Sequence, residues 1–277
     1  MGRSPESGFS DRIVESACQL LDRRACCPHA SLMEEGNQVV RVQLREAFAK
    51  DGYVVCPDFF GVEEVAELDA LVDDWQVRWD DLPGSESSEY RRRFEVHLKA
   101  LPINRSPPFQ SLFSTHEMQA VTTSIVGEAY ETLYGFAFAT PKTGGQGWHK
   151  DSSDTDPTRF TLNRLVYTRD YTPEQGCLYV LPGSHLYEGF PSDGPNHGPL
   201  PGEVAITPKR GMAVFVSSHC AHRVGINQTD RIRVVLNSRV NPKGVPADLC
   251  DLPVFRSGLW RHSTQTFLGP LSEQSDR

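Results

Sequence analysis

Two periods of hydrophobic residues divide the chain. Up to about residue 130, apolar side chains recur every three or four positions, the interval that lines one face of a helix. Ile13, Ala17, Leu20 and Leu21 make a short pattern of this kind inside a polar opening. Residues 1–36 therefore read as an N-terminal extension, set off by the break at Gly36-Asn37. Val40, Leu44, Ala47 and Phe48 predict an amphipathic helix over 39–49, ended by Asp51-Gly52. Tyr53-Val54-Val55 reads as a short strand. Val65, Leu68, Leu71, Val72 and Trp75 share a stripe and predict a helix over 62–79. After a Gly/Ser loop at 84–88, residues 109–130 read as mostly helical, interrupted at Gly127.

Beyond about Leu133 short apolar runs alternate with turns. Strands are predicted near 133–139, 146–151, 160–168, 177–181, 203–207, 212–217, 221–226 and 231–240, punctuated by Gly, Pro, Asn and Asp. Strands at this spacing indicate a β-sandwich or barrel. Helices first and strands later indicate an α+β, mainly β, domain with helices packed outside the sheet. A single domain over 37–277, with its strand core at about 133–240, is expected. The stretch 185–202 has no period and mixes glycines with prolines, which suits a binding loop or lid.

Composition narrows the classes. A chain of 277 residues buries a sizeable core without disulfides or a structural metal. A formal charge of −8 argues against a nucleic-acid partner, which needs a basic footprint. The seven cysteines, at 18, 26, 27, 56, 177, 220 and 250, are odd in number and show no secreted framework. Free thiols in a cytoplasmic, reducing setting are expected. No apolar run approaches the roughly 18 residues of a membrane span, so no membrane partner is expected.

The densest chemistry lies at His149-Lys150-Asp151. In a strand, residues i and i+2 face the same way, so one short segment could aim an imidazole and a carboxylate at one point. A third ligand must come from elsewhere, and His222 is the candidate. Two histidines and a carboxylate form the facial triad of non-heme Fe(II) oxygenases. His219 is the rival distal histidine; three residues from His222, it would face the other side of a strand and serve structurally. Asp154 and Asp156 are not i+2 neighbours of His149 and read as loop residues. His185 reads as a turn stabiliser and Cys220 as a small buried side chain. Further on, Arg231 and Arg233 lie in a strand-like run and share a face. Either guanidinium could hold the far end of a dicarboxylate bidentately.

The order of helices, then WHKD, GCLYVLPGSH and H-x4-N-x5-R, resembles the phytanoyl-CoA dioxygenase family of Fe(II)/2-oxoglutarate oxygenases, over roughly residues 40–240. The resemblance implies a double-stranded β-helix (a cupin-like jelly roll) with N-terminal helices on the major sheet. It implies that His149, Asp151 and His222 bind Fe(II). Arg233, chosen over Arg231 by family spacing, would hold the C5 carboxylate of 2-oxoglutarate, and Lys142 would help. The implied reaction oxidises, usually hydroxylates, a small-molecule substrate with O2, releasing succinate and CO2. Desaturation, ring formation and epimerisation are other outcomes of the same core. Halogenating relatives replace the carboxylate ligand with a small residue, whereas Asp151 is present here. Family breadth suggests natural-product or amino-acid-type metabolism. Substrate contacts are expected from Arg93 and His97 in the unpatterned 80–115 stretch and from Trp148. A solvated helix face is the plainer reading of Arg91-Arg92-Arg93. Two rivals are a hydrolase or isomerase using another divalent metal and a non-catalytic metal-binding barrel. The first has no need of Arg233, and the second has no need of an intact triad.

Overall fold

The computed structural model describes residues 36–80, 99–102, 107–152, 154–187, 198–245, 260–262 and 267–270. The helices are α1 (Gly36–Asp51), α2 (Val62–Asp80), α3 (Pro107–Phe113) and α4 (His116–Val126). The strands are β1 (Tyr53–Cys56), β2 (Lys99–Pro102), β3 (Tyr130–Thr140), β4 (Gln146–His149), β5 (Leu162–Val166) and β6 (Leu178–Val180). They continue with β7 (Val204–Ile206), β8 (Ala213–Ser217), β9 (His222–Val224), β10 (Arg233–Pro242), β11 (Trp260–His262) and β12 (Phe267–Pro270).

Alternation along the strands builds two cores. On β10, Val234, Leu236 and Val240 face outward onto helices. There they meet Leu44 and Phe48 of α1, Val65, Leu68 and Val72 of α2, and Met118 and Val121 of α4. Val235 faces the other way and joins Leu165, Val214 and Val216 of the same sheet with Leu178, Val180 and Ile206 of a second sheet. The larger sheet has six antiparallel strands in the order β1-β8-β5-β10-β3-β2, and the smaller has four, β4-β9-β6-β7. Two antiparallel sheets face to face, with helices on the back of the larger one, make the jelly roll expected from the sequence.

Several boundaries differ from the sequence pattern. The expected helix over 109–130 is two helices. Thr115 breaks it, its side chain accepting from Met118 N at 3.3 Å to cap α4, and Gly127 ends α4 at φ 91°. β3 starts at Tyr130 because it pairs with β10 as far as Pro242. β2 sits in the stretch that shows no pattern; four residues are too few to display a period, and pairing with β3 makes the strand. β4 stops at His149, so Asp151 is not on the strand. It occupies a bend whose backbone N–H donates to Ser218 O at 2.8 Å. The helical pattern at 13–21, the loop at 84–88, Arg91, Arg92, Arg93, His97 and positions 188–197 lie outside the described residues. Cys177 and Cys220 are buried free thiols, and Cys56 is buried. Among the described residues no helix is long and apolar enough to cross a membrane.

Candidate active site

β4 and β9 pair so that His149 stands directly across from His222, with ring centroids 4.2 Å apart. Each Nδ1 lies against a carbonyl two residues earlier, Gly147 O at 2.8 Å and Cys220 O at 2.9 Å. A carbonyl only accepts, so each Nδ1 carries a proton, and in the neutral ring the lone pair is on Nε2. Both Nε2 atoms look toward Asp151: His149 Nε2 is 3.5 Å from Oδ1 and His222 Nε2 is 3.8 Å from Oδ2. The three ligand atoms lie within 4.8 Å of one another, the one such group of histidine, cysteine or carboxylate side chains among the described residues.

The electrostatics match a cation site. Asp151 is 3 % exposed. Burial opposes its ionisation, but the Arg239 guanidinium, then His222 and His149, hold its carboxyl far below the usual carboxylate range. Burial pushes His222 down to about 4, the neighbouring His149 adds to this, and Asp151 opposes it. At neutral pH the cluster therefore offers an ionised carboxylate oxygen and a neutral His222 imidazole. Two imidazole nitrogens and one carboxylate oxygen fit a first-row divalent ion.

Arg233 opens β10 and is 1 % exposed. Its Nη2 donates to the Thr140 hydroxyl at 3.2 Å. Nε and Nη1 meet no acceptor among the described residues. A buried guanidinium with open donors fits a carboxylate ligand. Arg231 precedes the strand and is exposed, so burial separates two arginines that alternation left equivalent.

Other candidates fall elsewhere. Lys142 does not reach this interior: its side chain is 58 % exposed and pairs with Asp230 at 2.7 Å. An ammonium that keeps its hydration on the surface loses nothing by desolvation, which accounts for its position. Trp148 is buried, but its neighbour is Arg223, the residue after His222, whose guanidinium lies 5.4 Å from its ring centre. Because side chains alternate, this places Trp148 on the far side of the smaller sheet from His222. There its Nε1 donates to Gly198 O at 2.9 Å. His219 turns away to Arg159 O at 3.2 Å, and His185 to Ala49 O at 3.0 Å. Asp154 pairs with Arg159 at 3.2 Å. Asp156 caps its own turn through Thr158. Burial pushes the Cys220 thiol up to about 11, which suits a packed side chain.

Three residues at the cluster escaped the sequence reading. Arg239 Nη2 and Asn163 Nδ2 both reach Asp151 Oδ2 at 2.9 Å, and Asn237 Nδ2 donates to Asn163 Oδ1 at 3.1 Å. A signal was present: β10 is polar at 233, 237, 239 and 241, interleaved with the apolar helix-facing Val234, Leu236 and Val240. Alternation of that kind marks a strand with a polar inner face.

Comparison with known proteins agrees with this geometry. Residues 48–235 match the family described as phytanoyl-CoA dioxygenase (PhyH). Dioxygenase hkm4 of Aspergillus hancockii is 25% identical over 219 residues, covering 71% of this chain and 70% of that protein. Ectoine dioxygenase of Sphingopyxis alaskensis is 30% identical over 154 residues, 50% of this chain and 48% of the relative. Among solved structures, the epimerase SnoN in complex with Fe3+, alpha ketoglutarate and nogalamycin RO superposes with a TM-score of 0.59 at 20% identity, over 84% of this chain and 96% of that one. HygX from Streptomyces hygroscopicus with nickel, 2-oxoglutarate and hygromycin B bound gives 0.56 at 18% identity, over 75% and 93%. These two establish likeness of fold. The family match spans most of the chain, and the chain belongs to the phytanoyl-CoA dioxygenase family of non-heme iron, 2-oxoglutarate-dependent oxygenases.

Proposed function

We propose that His149, Asp151 and His222 hold one Fe(II) and that Arg233 receives the far carboxylate of 2-oxoglutarate. On this reading the chain oxidises, most simply hydroxylates, a small-molecule substrate while 2-oxoglutarate is converted to succinate and CO2. One observation carries the reading. Two lone-pair imidazole nitrogens and an ionised carboxylate converge in the same interior as a buried guanidinium with open donors.

Iron and 2-oxoglutarate, when bound, supply the O2-derived oxidant. The chain's residues bind, orient and keep dry. His149 and His222 are held in one tautomer by the carbonyls of Gly147 and Cys220. Asp151 supplies one negative charge, held ionised by Arg239. Arg233 offers Nε and Nη1 to a carboxylate, while Thr140 holds its Nη2. Leu178, Val180, Val214 and Val235 line the apolar part of the same interior and exclude water.

The substrate is read as a natural product or an amino-acid-type metabolite, in line with relatives named for ectoine and similar folds crystallised with nogalamycin RO or hygromycin B. Buried free thiols support a reducing, cytoplasmic setting. The test is succinate formation from 2-oxoglutarate with Fe(II) and O2. The reading expects succinate that depends on all three and is lost in Arg233→Ala. A hydrolase or isomerase, or a non-catalytic barrel, forms none.

A further inference from the structure

Asp151 has two oxygens, and the structure treats them differently. Oδ2 accepts from Arg239 Nη2 and Asn163 Nδ2, each at 2.9 Å. Oδ1 faces His149 Nε2 at 3.5 Å and Oδ2 stands 3.8 Å from His222 Nε2, both longer than a normal hydrogen bond. The direction of the Asn163 bond is fixed. An ionised carboxylate only accepts, so the Asn163 amide must turn its Nδ2 to Asp151 and its Oδ1 away. That Oδ1 accepts from Asn237 Nδ2 at 3.1 Å, so a second amide holds the first in place. Asn163, Asn237 and Arg239 are each at most 3 % exposed and stand on the adjacent strands β5 and β10. The residues flanking them in β10, Leu236, Ser238 and Val240, face the other way, so the strand cannot slip by one residue without expelling the set.

We propose that Arg239 and Asn163 commit Oδ2 of Asp151 to the protein, so that the carboxylate offers a metal ion Oδ1 alone. Arg239 is thus a positioning residue for the metal site. This rests on the metal-site reading above. Its consequence is a carboxylate that occupies one ligand position rather than two, which leaves room on the ion for the cosubstrate and O2. The charge matters as well as the geometry. Arg239 compensates a carboxylate buried in the interior, and a guanidinium reaches it with a planar fork that a lysine lacks.

The test uses the full chain, free of metal, titrated anaerobically with Co(II), whose visible spectrum reports coordination. Arg239→Met is expected to weaken Co(II) binding by about 10- to 100-fold, the usual effect of removing a partner behind a metal ligand, and to change the spectrum. Asp151→Gly is expected to lose binding and to regain most of it with added formate, a one-carbon carboxylate that Arg239 and Asn163 can hold in the vacated space. Asp151→Gly/Arg239→Met is expected to show no recovery with formate. Arg239→Lys replaces Arg239→Met in both comparisons if the methionine variant fails to fold, as judged by thermal melting. Wild-type affinity and spectrum in the Arg239 variant, or equal formate recovery with and without Arg239, would overturn the proposal while leaving the metal site intact. Unimpaired Co(II) binding in both Asp151→Gly and His149→Ala would instead remove the metal-site reading, and this inference with it.

Discussion

His219 and His222 are chemically alike and three residues apart, yet one turns to Arg159 and the other to Asp151. His149→Ala, Asp151→Ala and His222→Ala should therefore each abolish turnover and metal binding while the fold survives. His219→Ala should keep metal binding and lower the melting temperature. Activity that survives His222→Ala but not His219→Ala would reverse the assignment. The two arginines separate in the same manner. If Arg233 pairs with 2-oxoglutarate as proposed, Arg233→Ala should cost about 2–5 kcal/mol in its binding. Arg231→Ala and Lys142→Ala should leave the 2-oxoglutarate requirement unchanged, because the first is exposed and the second is held by Asp230. Saturation curves for the three variants decide this. The cluster of His149, Asp151 and His222 was legible in the sequence because WHKD, GCLYVLPGSH and H-x4-N-x5-R occur in one order, although His-x-Asp alone is common. Arg239 and Asn163 were not, because they stand 76 residues apart and only the pairing of β5 with β10 sets them side by side beside Asp151.

At the scale of elements, turns and caps set what periodicity could not. Thr115 starts α4, and Thr115→Ala should cost about 1 kcal/mol, read from denaturant unfolding. Gly52 joins α1 to β1 at φ 78°, and a Cβ there would stand 2.6 Å from His185 Nδ1. Gly52→Ala should destabilise by more than the roughly 1–2 kcal/mol of a left-handed backbone alone, because His185 and Cys220 must also move. A melting temperature equal to wild type would contradict this. Long elements such as α2 were readable because many residues repeat one interval. β2 was not, since four residues carry no period and its existence depends on β3. Asp151 departs from the strand position that alternation predicts. It reaches His149 from a bend tied to Ser218, not as the next inward residue of a strand, and the i, i+2 rule gave the right neighbour through a different geometry.

For the whole molecule, the sheets and helices described here bury their apolar faces against one another, and the family match begins at residue 48. Deleting residues 1–30 should leave iron binding and most activity intact; a large fall in melting temperature would show that this segment supports the fold. On the proposed function, one ion and one 2-oxo acid sit together between His149, Asp151, His222 and Arg233. Anaerobic titration of the metal-free chain with Fe(II) and 2-oxoglutarate tests it without any substrate, because an iron-bound 2-oxo acid absorbs visible light through charge transfer. The account predicts a band that saturates at one equivalent of iron in the wild type, is absent from His149→Ala, Asp151→Ala and His222→Ala, and needs far more 2-oxoglutarate in Arg233→Ala. No band in the wild type, or an equal band in the three ligand variants, would contradict it.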